Sequence, residues 1–380
     1  MRPLDGMKVI EMTGLAPSPY CGMILADFGA DVVIVDRLTT GAPEIPNIMA
    51  KNPFDRGKRS MRVNLKTEGG IAVVRKMIQA SDVFLEPYRP GVMEKLGLGP
   101  DEAMELNPKL IYARLTGWGQ NGPYASMAGH DINYIALSGS LSMFRRKGEK
   151  PLPPCNLLGD FAGGGMLCAM GILLALIERN SSGKGQVVDA AMVDGATNIS
   201  TFFWGLLGNH LMTLDIGTNV LDSGAPFYQT YETADGRFMS VGAIEARFYE
   251  ELLDGLDIDP SALPSQHDMG RWPEMRERFA EVFKTKTRDE WAAIFDGKDA
   301  CVAPILNMDE VDNHRHNKER DLLVEVDGVS QPAPAPRLSR TPGSIERPGT
   351  PRGSETQEIL EELGYTKEEI EGLLQKNVVE

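Results

Sequence analysis

Lys8-Val9-Ile10-Glu11-Met12, Gly14-Leu15-Ala16-Pro17-Ser18-Pro19, Tyr20 to Phe28 stopping at Gly29, and Asp31-Val32-Val33-Ile34-Val35 read in succession as strand, turn, helix and strand. The second strand is a nearly continuous β-branched run, the pattern of a strand buried on both faces of a parallel sheet. The same order then repeats. Gly70 to Gln79 has helical periodicity, Asp82-Val83-Phe84-Leu85 reads as a strand, and Leu110-Ile111-Tyr112-Ala113-Arg114 as another. This alternation predicts an α/β fold with a parallel sheet covered by helices.

Further along, 129–143 and 161–179 read as helices. Ser181 to Gly185 is a turn, Gln186-Val187-Val188-Asp189 a strand, and an apolar helix follows to about Leu211. Two strands flank Asp235-Gly236 as in a hairpin, and helices are expected over 246–256 and 272–297. The segment 331–353, rich in Pro, Ser, Gly and Arg, reads as an extended connector. Thr366 with Glu369 forms a capping box that opens a last helix. The organisation expected from these patterns is a large domain over 1–200 with 330–380 returning to it, a smaller α+β domain over 225–320, and linkers at 201–224 and 321–353.

A chain of 380 residues exceeds one small core and fits two domains or one large α/β unit. Its net charge of −15 argues against non-specific nucleic-acid binding. The balance is uneven: between Lys51 and Lys95 stand ten Lys/Arg against five acids, which reads as a surface for an anionic ligand. The four cysteines are scattered without a CxxC pair, as expected of free thiols in a reducing compartment with no zinc site. The N-terminus is too polar for a secretory leader. The apolar run Phe161 to Ile177 spans 17 residues and is rich in glycine, so a buried core helix is expected there and no membrane insertion. The last residues match no retention or peroxisomal tail. The expectation is a soluble cytoplasmic protein, with the peroxisome and mitochondrion left open.

The turn after the first strand lacks G-x-G-x-x-G, and its prolines replace amides that a pyrophosphate would need, which disfavours a nicotinamide enzyme. His130, in Gly129-His130-Asp131-Ile132-Asn133-Tyr134, follows a Pro/Gly-rich loop and opens a helical pattern. A helix N-terminus disfavours positive charge, which suits a general base. Against this stands an ordinary hydrogen-bonded histidine beside a capping Asp131. Asp160 precedes Gly163-Gly164-Gly165 where an apolar helix begins, so it reads as a helix cap. The glycines are poor helix formers and point to a close approach to the backbone.

Together several stretches resemble the α-methylacyl-CoA racemases, within the class III (CaiB/BaiF-type) CoA-transferases. They are Gly14-Leu15-Ala16-Pro17, Leu25 to Val33, Tyr88-Arg89-Pro90-Gly91-Val92, Leu96 to Pro100, Thr116 to Gln120, Gly129 to Tyr134, Gly159-Asp160, Ser182 to Asp189 and Val241 to Glu245. The resemblance implies a Rossmann-like large domain that binds coenzyme A, a smaller α+β domain, and an interlocked homodimer with the active site between the large domain of one chain and the small domain of the other. It implies coenzyme A contacts at Arg37, at Val63, Asn64, Leu65 and Lys66, at Pro87, Tyr88 and Arg89, and at Gly129, Asp131, Ile132, Asn133 and Tyr134. Lys95 stands where relatives can carry an arginine and keeps the charge without the bidentate geometry. The implied activity interconverts (R)- and (S)-2-methylacyl-CoA thioesters, with no cofactor beyond the coenzyme A of the substrate. By the same resemblance His130 and Asp160 are expected as the acid–base pair and Glu245 of the partner chain as the residue paired with His130, and Asn156 is a candidate to orient groups around Asp160. Free amides at the helix beginning near Asp131 are expected to stabilise an enolate oxygen. Met127, Met143, Met166, Met170, Met192 and Met212 are candidates for an adaptable acyl surface, or plain core filling. Two other readings are a class III CoA-transferase in which Asp160 is the acyl-accepting nucleophile, and a non-catalytic coenzyme-A-binding protein, which would need neither His130 nor Asp160.

Overall fold

Strands β1 (Lys8–Met12), β2 (Asp31–Arg37), β3 (Arg59–Val63), β4 (Val83–Glu86), β5 (Ile111–Thr116) and β6 (Gln186–Ala191) form one parallel sheet in the order β3-β2-β1-β4-β5-β6. The structure is a computed structural model and describes residues 1–38, 49 and 51–380. Side chains alternate across the sheet. On one face Val9, Val83, Leu85, Ile111 and Ala113 meet Cys21 and Leu25 of the helix Pro17–Asp27 and Cys168 and Ile172 of the helix Leu167–Ser182. On the other, Ile10, Met12, Phe84 and Tyr112 meet Val73 and Met77 of the helix Glu68–Gln79, with Ile359 and Leu360 of the helix Thr356–Glu362. Each large apolar side chain so buried contributes about 1.5–3 kcal/mol.

The chain divides into two compact units, one of residues 1–138, 154–199 and 321–380, the other of 139–153 and 200–320. Within the second unit, β7 (Tyr228–Glu232), β8 (Phe238–Gly242) and β9 (Val302–Pro304) form an antiparallel sheet. It packs on an aromatic core in which Tyr231 stacks on Phe283 at 4.9 Å. The segments expected as linkers are ordered parts of these units. Residues 201–208 are helical, and Asn219 and Asp222 hydrogen-bond the loop from Thr213 to Gly217. Residues 323–332 form a two-stranded hairpin, and the connector docks in the first unit through Gly57 N to Arg347 O and Ser344 N to Asp27 O.

Four expected helices differ. The 129–143 helix is cut to Asp131–Leu137 because Gly139, at φ 84°, breaks it before a short 3₁₀ turn. The apolar stretch to Leu211 is two helices, Met192–Ile199 and Thr201–Gly208. The 272–297 stretch divides into Trp272–Phe283 and Arg288–Phe295, because Thr287 and Glu290 form a capping box that starts the second. The expected core helix begins earlier and is half-buried. From Leu157 to Ser182 it is, among the described residues, the one helix long and apolar enough to cross a membrane. It buries Cys168, Ala169, Ile172, Ala175 and Leu176 and leaves Met166, Met170, Leu174 and Ile177 exposed.

The basic surplus between Lys51 and Lys95 is mostly consumed inside the fold. Lys58 is buried with its Nζ 2.6 Å from Glu11 and 2.8 Å from the carbonyl of Pro19. Arg56 forks onto Asp27, and Arg59 binds Asp31 and Glu362. Arg62 pairs with Glu380 and Arg75 binds the Gly97 carbonyl. These side chains tie helices and connector to the sheet, which leaves Lys66, Arg89 and Lys95 as exposed cations of the window. Removing one member of a buried pair strands the other charge, and Lys58→Ala is expected to lower stability by about 3–5 kcal/mol. The double variant Glu11→Met/Lys58→Met is expected to recover most of that loss. Urea unfolding of the variants measures both.

Candidate active site

In a doubly wound sheet ligands bind beyond the carboxyl ends of the strands, where the strand order reverses. Here the reversal lies between β1 and β4. Tyr88, just past β4, donates its hydroxyl to the carbonyl of Thr13, just past β1, at 2.9 Å. Burial pushes the Tyr88 phenol up to about 12. Glu86 holds this corner: its carboxylate accepts from the Tyr88 amide at 2.8 Å and from Arg114 at 2.8 Å. Burial pushes the Glu86 carboxyl up to about 7 against those bonds.

The residues singled out in sequence line this edge. Arg37 ends β2, Val63 ends β3 and is followed by Asn64, Leu65 and Lys66, and Pro87, Tyr88 and Arg89 follow β4. Their side chains are not equally presented. Val63 is fully buried and bridges to Val379, Asn64 binds the backbone of Asn377 and Val378, and Leu65 packs on the core. Arg37, Lys66, Arg89 and Lys95 are exposed, Arg89 reaching the Ser126 carbonyl at 3.4 Å.

His130 caps the helix Asp131–Leu137 in extended conformation. Its amide donates to Asn133 Oδ1 at 3.1 Å, and its carbonyl accepts from the Asn133 amide at 2.8 Å. The Asn133 amide is therefore engaged, which leaves those of Asp131 and Ile132 in the first turn without an intrahelical acceptor. The imidazole is exposed, as is Ile132. Behind it, Tyr134 packs edge-on against Trp118 at 4.8 Å and donates its hydroxyl to Gly129 O. A Cβ at Gly129 would lie 2.7 Å from the Tyr134 ring, so glycine lets the loop lie flat on it.

Asp160 lies inside a π-helix, Leu157–Met166, rather than at a helix cap. Such wide turns frequently occur at functional sites. Its carboxyl is pushed above the usual aspartate range, chiefly by burial. A hydrogen bond from Asn156 Nδ2 at 3.0 Å pulls it down, the neighbouring Asp131 raises it, and His130 lowers it. Asp131, the residue after His130, accepts from the Asp160 amide at 2.7 Å, which brings these two stretches of sequence together. The Gly163-Gly164-Gly165 run is explained by the protein itself. A Cβ on Gly163 would sit 2.7 Å from the amide of Ala196, and one on Gly165 would sit 2.5 Å from the carbonyl of Pro17. The close approach seen here is made by neighbouring helices. Met192 is likewise buried core, whereas Met127, Met166 and Met170 are exposed.

Two features were missed in the sequence: the π-helix, which has no composition signature, and the side chain of Asp131. That carboxylate is buried and accepts from the amides of Gly159 and Asp160 at 2.6 and 2.7 Å. Glu245 belongs to the second unit, exposed at the N-cap of the helix Ala246–Gly255. Among the described residues no three His, Cys, Asp or Glu side chains are grouped to hold a metal ion. Because the Asn156 bond favours the ionised carboxyl, Asn156→Ala is expected to move the Asp160 titration to higher pH, read by ¹³C NMR of the side-chain carboxyl.

Comparison with known proteins adds the family context. Residues 4–356 match the model of CoA-transferase family III. An alpha-methylacyl-CoA racemase of Mus musculus is 51% identical over 380 residues, covering 99% of this chain and 97% of the relative. One of Homo sapiens is 52% identical over 380 residues with the same coverage. A solved CAIB/BAIF family protein from Brucella suis superposes with a TM-score of 0.81 at 25% identity, over 95% of this chain and 99% of that one.

Proposed function

The chain belongs to CoA-transferase family III, and from that premise we propose that it is an α-methylacyl-CoA racemase whose proton-transfer groups are His130 and Asp160. The single observation that carries the residue assignment is the joining of their two mountings: Asp131, next to His130, accepts from the amides of Gly159 and Asp160 at 2.6 and 2.7 Å. The full-length identity to two racemases supports the activity.

The chemistry follows from the groups present. The α-proton of a thioester is weakly acidic, and its removal leaves an enolate whose oxygen needs donors. The first-turn amides of Asp131 and Ile132 are the candidates. One of the pair takes the α-proton and the other returns a proton to the opposite face, so the net reaction is inversion with no change of oxidation state. The roles exchange for the opposite enantiomer. Partial burial serves Asp160 here, since a carboxyl raised toward the working pH is a better base than a solvated one. Asn156 holds its orientation. No cofactor is assigned beyond the coenzyme A of the substrate. Its phosphates suit the exposed Arg37, Lys66, Arg89 and Lys95, with Asn64, Leu65, Pro87, Tyr88, Gly129 and Ile132 to Tyr134 supplying backbone and flanking surface.

We take the working form to be a homodimer in which Glu245 of a second copy orients His130. Exposed apolar side chains on the helix Leu167–Ser182 support an interface, with Leu174 at 59% and Ile177 at 65% exposure. All four cysteines are free, in keeping with a reducing compartment.

Incubation with one enantiomer of a 2-methylacyl-CoA in D₂O, followed by NMR and chiral analysis, is expected to show α-proton exchange with inversion. His130→Ala and Asp160→Ala are each expected to reduce it by about 10²–10⁴-fold, the usual weight of one acid–base group. Acyl transfer to an added carboxylate without exchange, with acyl groups trapped on Asp160, would move the chain to the transferases.

A further inference from the structure

Asp131 follows His130 directly, yet its side chain faces Asp160. It is 4% exposed, and its Oδ2 accepts from two successive amides, Gly159 N at 2.6 Å and Asp160 N at 2.7 Å. A carboxylate taking two backbone donors is a strong, directional clamp. It joins the first turn of Asp131–Leu137 to the first turn of the π-helix, the two places where the acid–base groups are mounted. Gly159 is shaped to it: a Cβ there would stand 2.6 Å from Oδ2, so any side chain displaces the carboxylate. The second oxygen, Oδ1, is buried without a hydrogen-bond partner among the described residues. An aspartate needed only as a cap has no reason to keep an unmatched buried oxygen.

We propose that Asp131 is a positioning residue for the racemase, clamping the Gly159–Asp160 backbone so that Asp160 and His130 keep the separation that proton transfer across one carbon requires. This rests on the racemase reading and replaces the expectation that Asp131 contacts coenzyme A. Its charge has a second effect. Asp131 raises the Asp160 carboxyl, after burial and against the Asn156 bond, while His130 lowers it. The Tyr134 hydroxyl, itself raised by burial and then by Asp160, lies in the same field. The charges that act on the Asp160 carboxyl are those of Asp131 and His130; of the helices packed on the π-helix, Pro17–Asp27 brings Tyr20 onto Phe161 and carries Asp27 on Arg56, Met192–Ile199 carries Asp194, which acts on Asp189, and Leu167–Ser182 carries Glu178 and Arg179, the latter on Asp82.

The test compares the dimeric or monomeric enzyme as purified with Asp131→Ala, Asp131→Asn, Gly159→Ala and the Asp131→Ala/Gly159→Ala double variant. Circular dichroism and thermal melting establish that each is folded. Asp131→Ala releases the clamp and is expected to lower kcat for exchange about 100-fold, the weight of a misplacement near 1 Å, with KM unchanged. Gly159→Ala should lose as much, and the double variant no more than either, since both break one contact. Asp131→Asn keeps an oxygen for the amides but drops the charge. It should retain most of kcat while the ¹³C titration of the Asp160 carboxyl moves to lower pH. Wild-type kcat in a folded Asp131→Ala, additive losses in the double variant, or an Asp160 titration unmoved in Asp131→Asn would overturn the proposal. Absence of exchange in the wild type would instead remove the racemase assignment, and the Asp160 titration would still decide whether Asp131 acts on that carboxyl.

Discussion

A parallel sheet delivers every strand's carboxyl end to the same edge, and that constraint organises the first unit. The six strands run one way, the order reverses between β1 and β4, and the loops leaving β2, β3 and β4 therefore open side by side. Residues far apart in the chain, from Arg37 to Arg89, come to one edge without any of them being drawn there by its own chemistry. The helices that make this possible are held by alternation: odd and even positions of each strand feed two separate apolar layers, and neither layer closes without the other.

The strands were legible because burial on both faces leaves a compositional trace, as in Asp31 to Val35, and the hairpin was legible because Asp235-Gly236 supplies the turn. The last helix was legible from Thr366 and Glu369, whose capping box forms as read. Helix lengths were less so. Thr287 and Gly139 each interrupt a periodic apolar pattern that looks continuous, because a cap or a positive φ acts through one residue and leaves the flanking periodicity intact. The π-helix lay beyond reach for a related reason: one extra residue per turn alters the backbone and not the residue types.

Misreadings of the site arose where a side chain's partner is distant in sequence. Arg56, Lys58, Arg59 and Arg62 counted as surplus within their own window, yet their counter-charges stand at Glu11, Asp27, Asp31, Glu362 and Glu380. The glycine run announced a close approach to the backbone, but not that the approaching groups belong to Pro17 and Ala196. Val63 and Asn64 face the edge in sequence terms, but the residues Asn377 to Val379 already occupy their polar groups. Each is a long-range pairing that a single sequence cannot display. His130 and Asp160 were found because their residue types are informative alone; Asp131 was noticed for its place beside His130, and its partner was not.

The energetics of Asp160 show why the surrounding residues are of the types they are. Burial raises the carboxyl's proton affinity and so favours the neutral form; full hydration would leave it a weaker base. The protein sets it between these limits with opposed influences: desolvation and the Asp131 charge raise it, the Asn156 amide and His130 lower it. Asp131 sits on both sides of that balance. Its carboxylate raises the neighbour's proton affinity, while the same oxygen fixes the backbone that carries the neighbour. A neutral acceptor could supply the geometry but not the charge, and a more distant anion the charge but not the geometry. One short acidic side chain next to His130, facing a glycine that leaves room for it, supplies both.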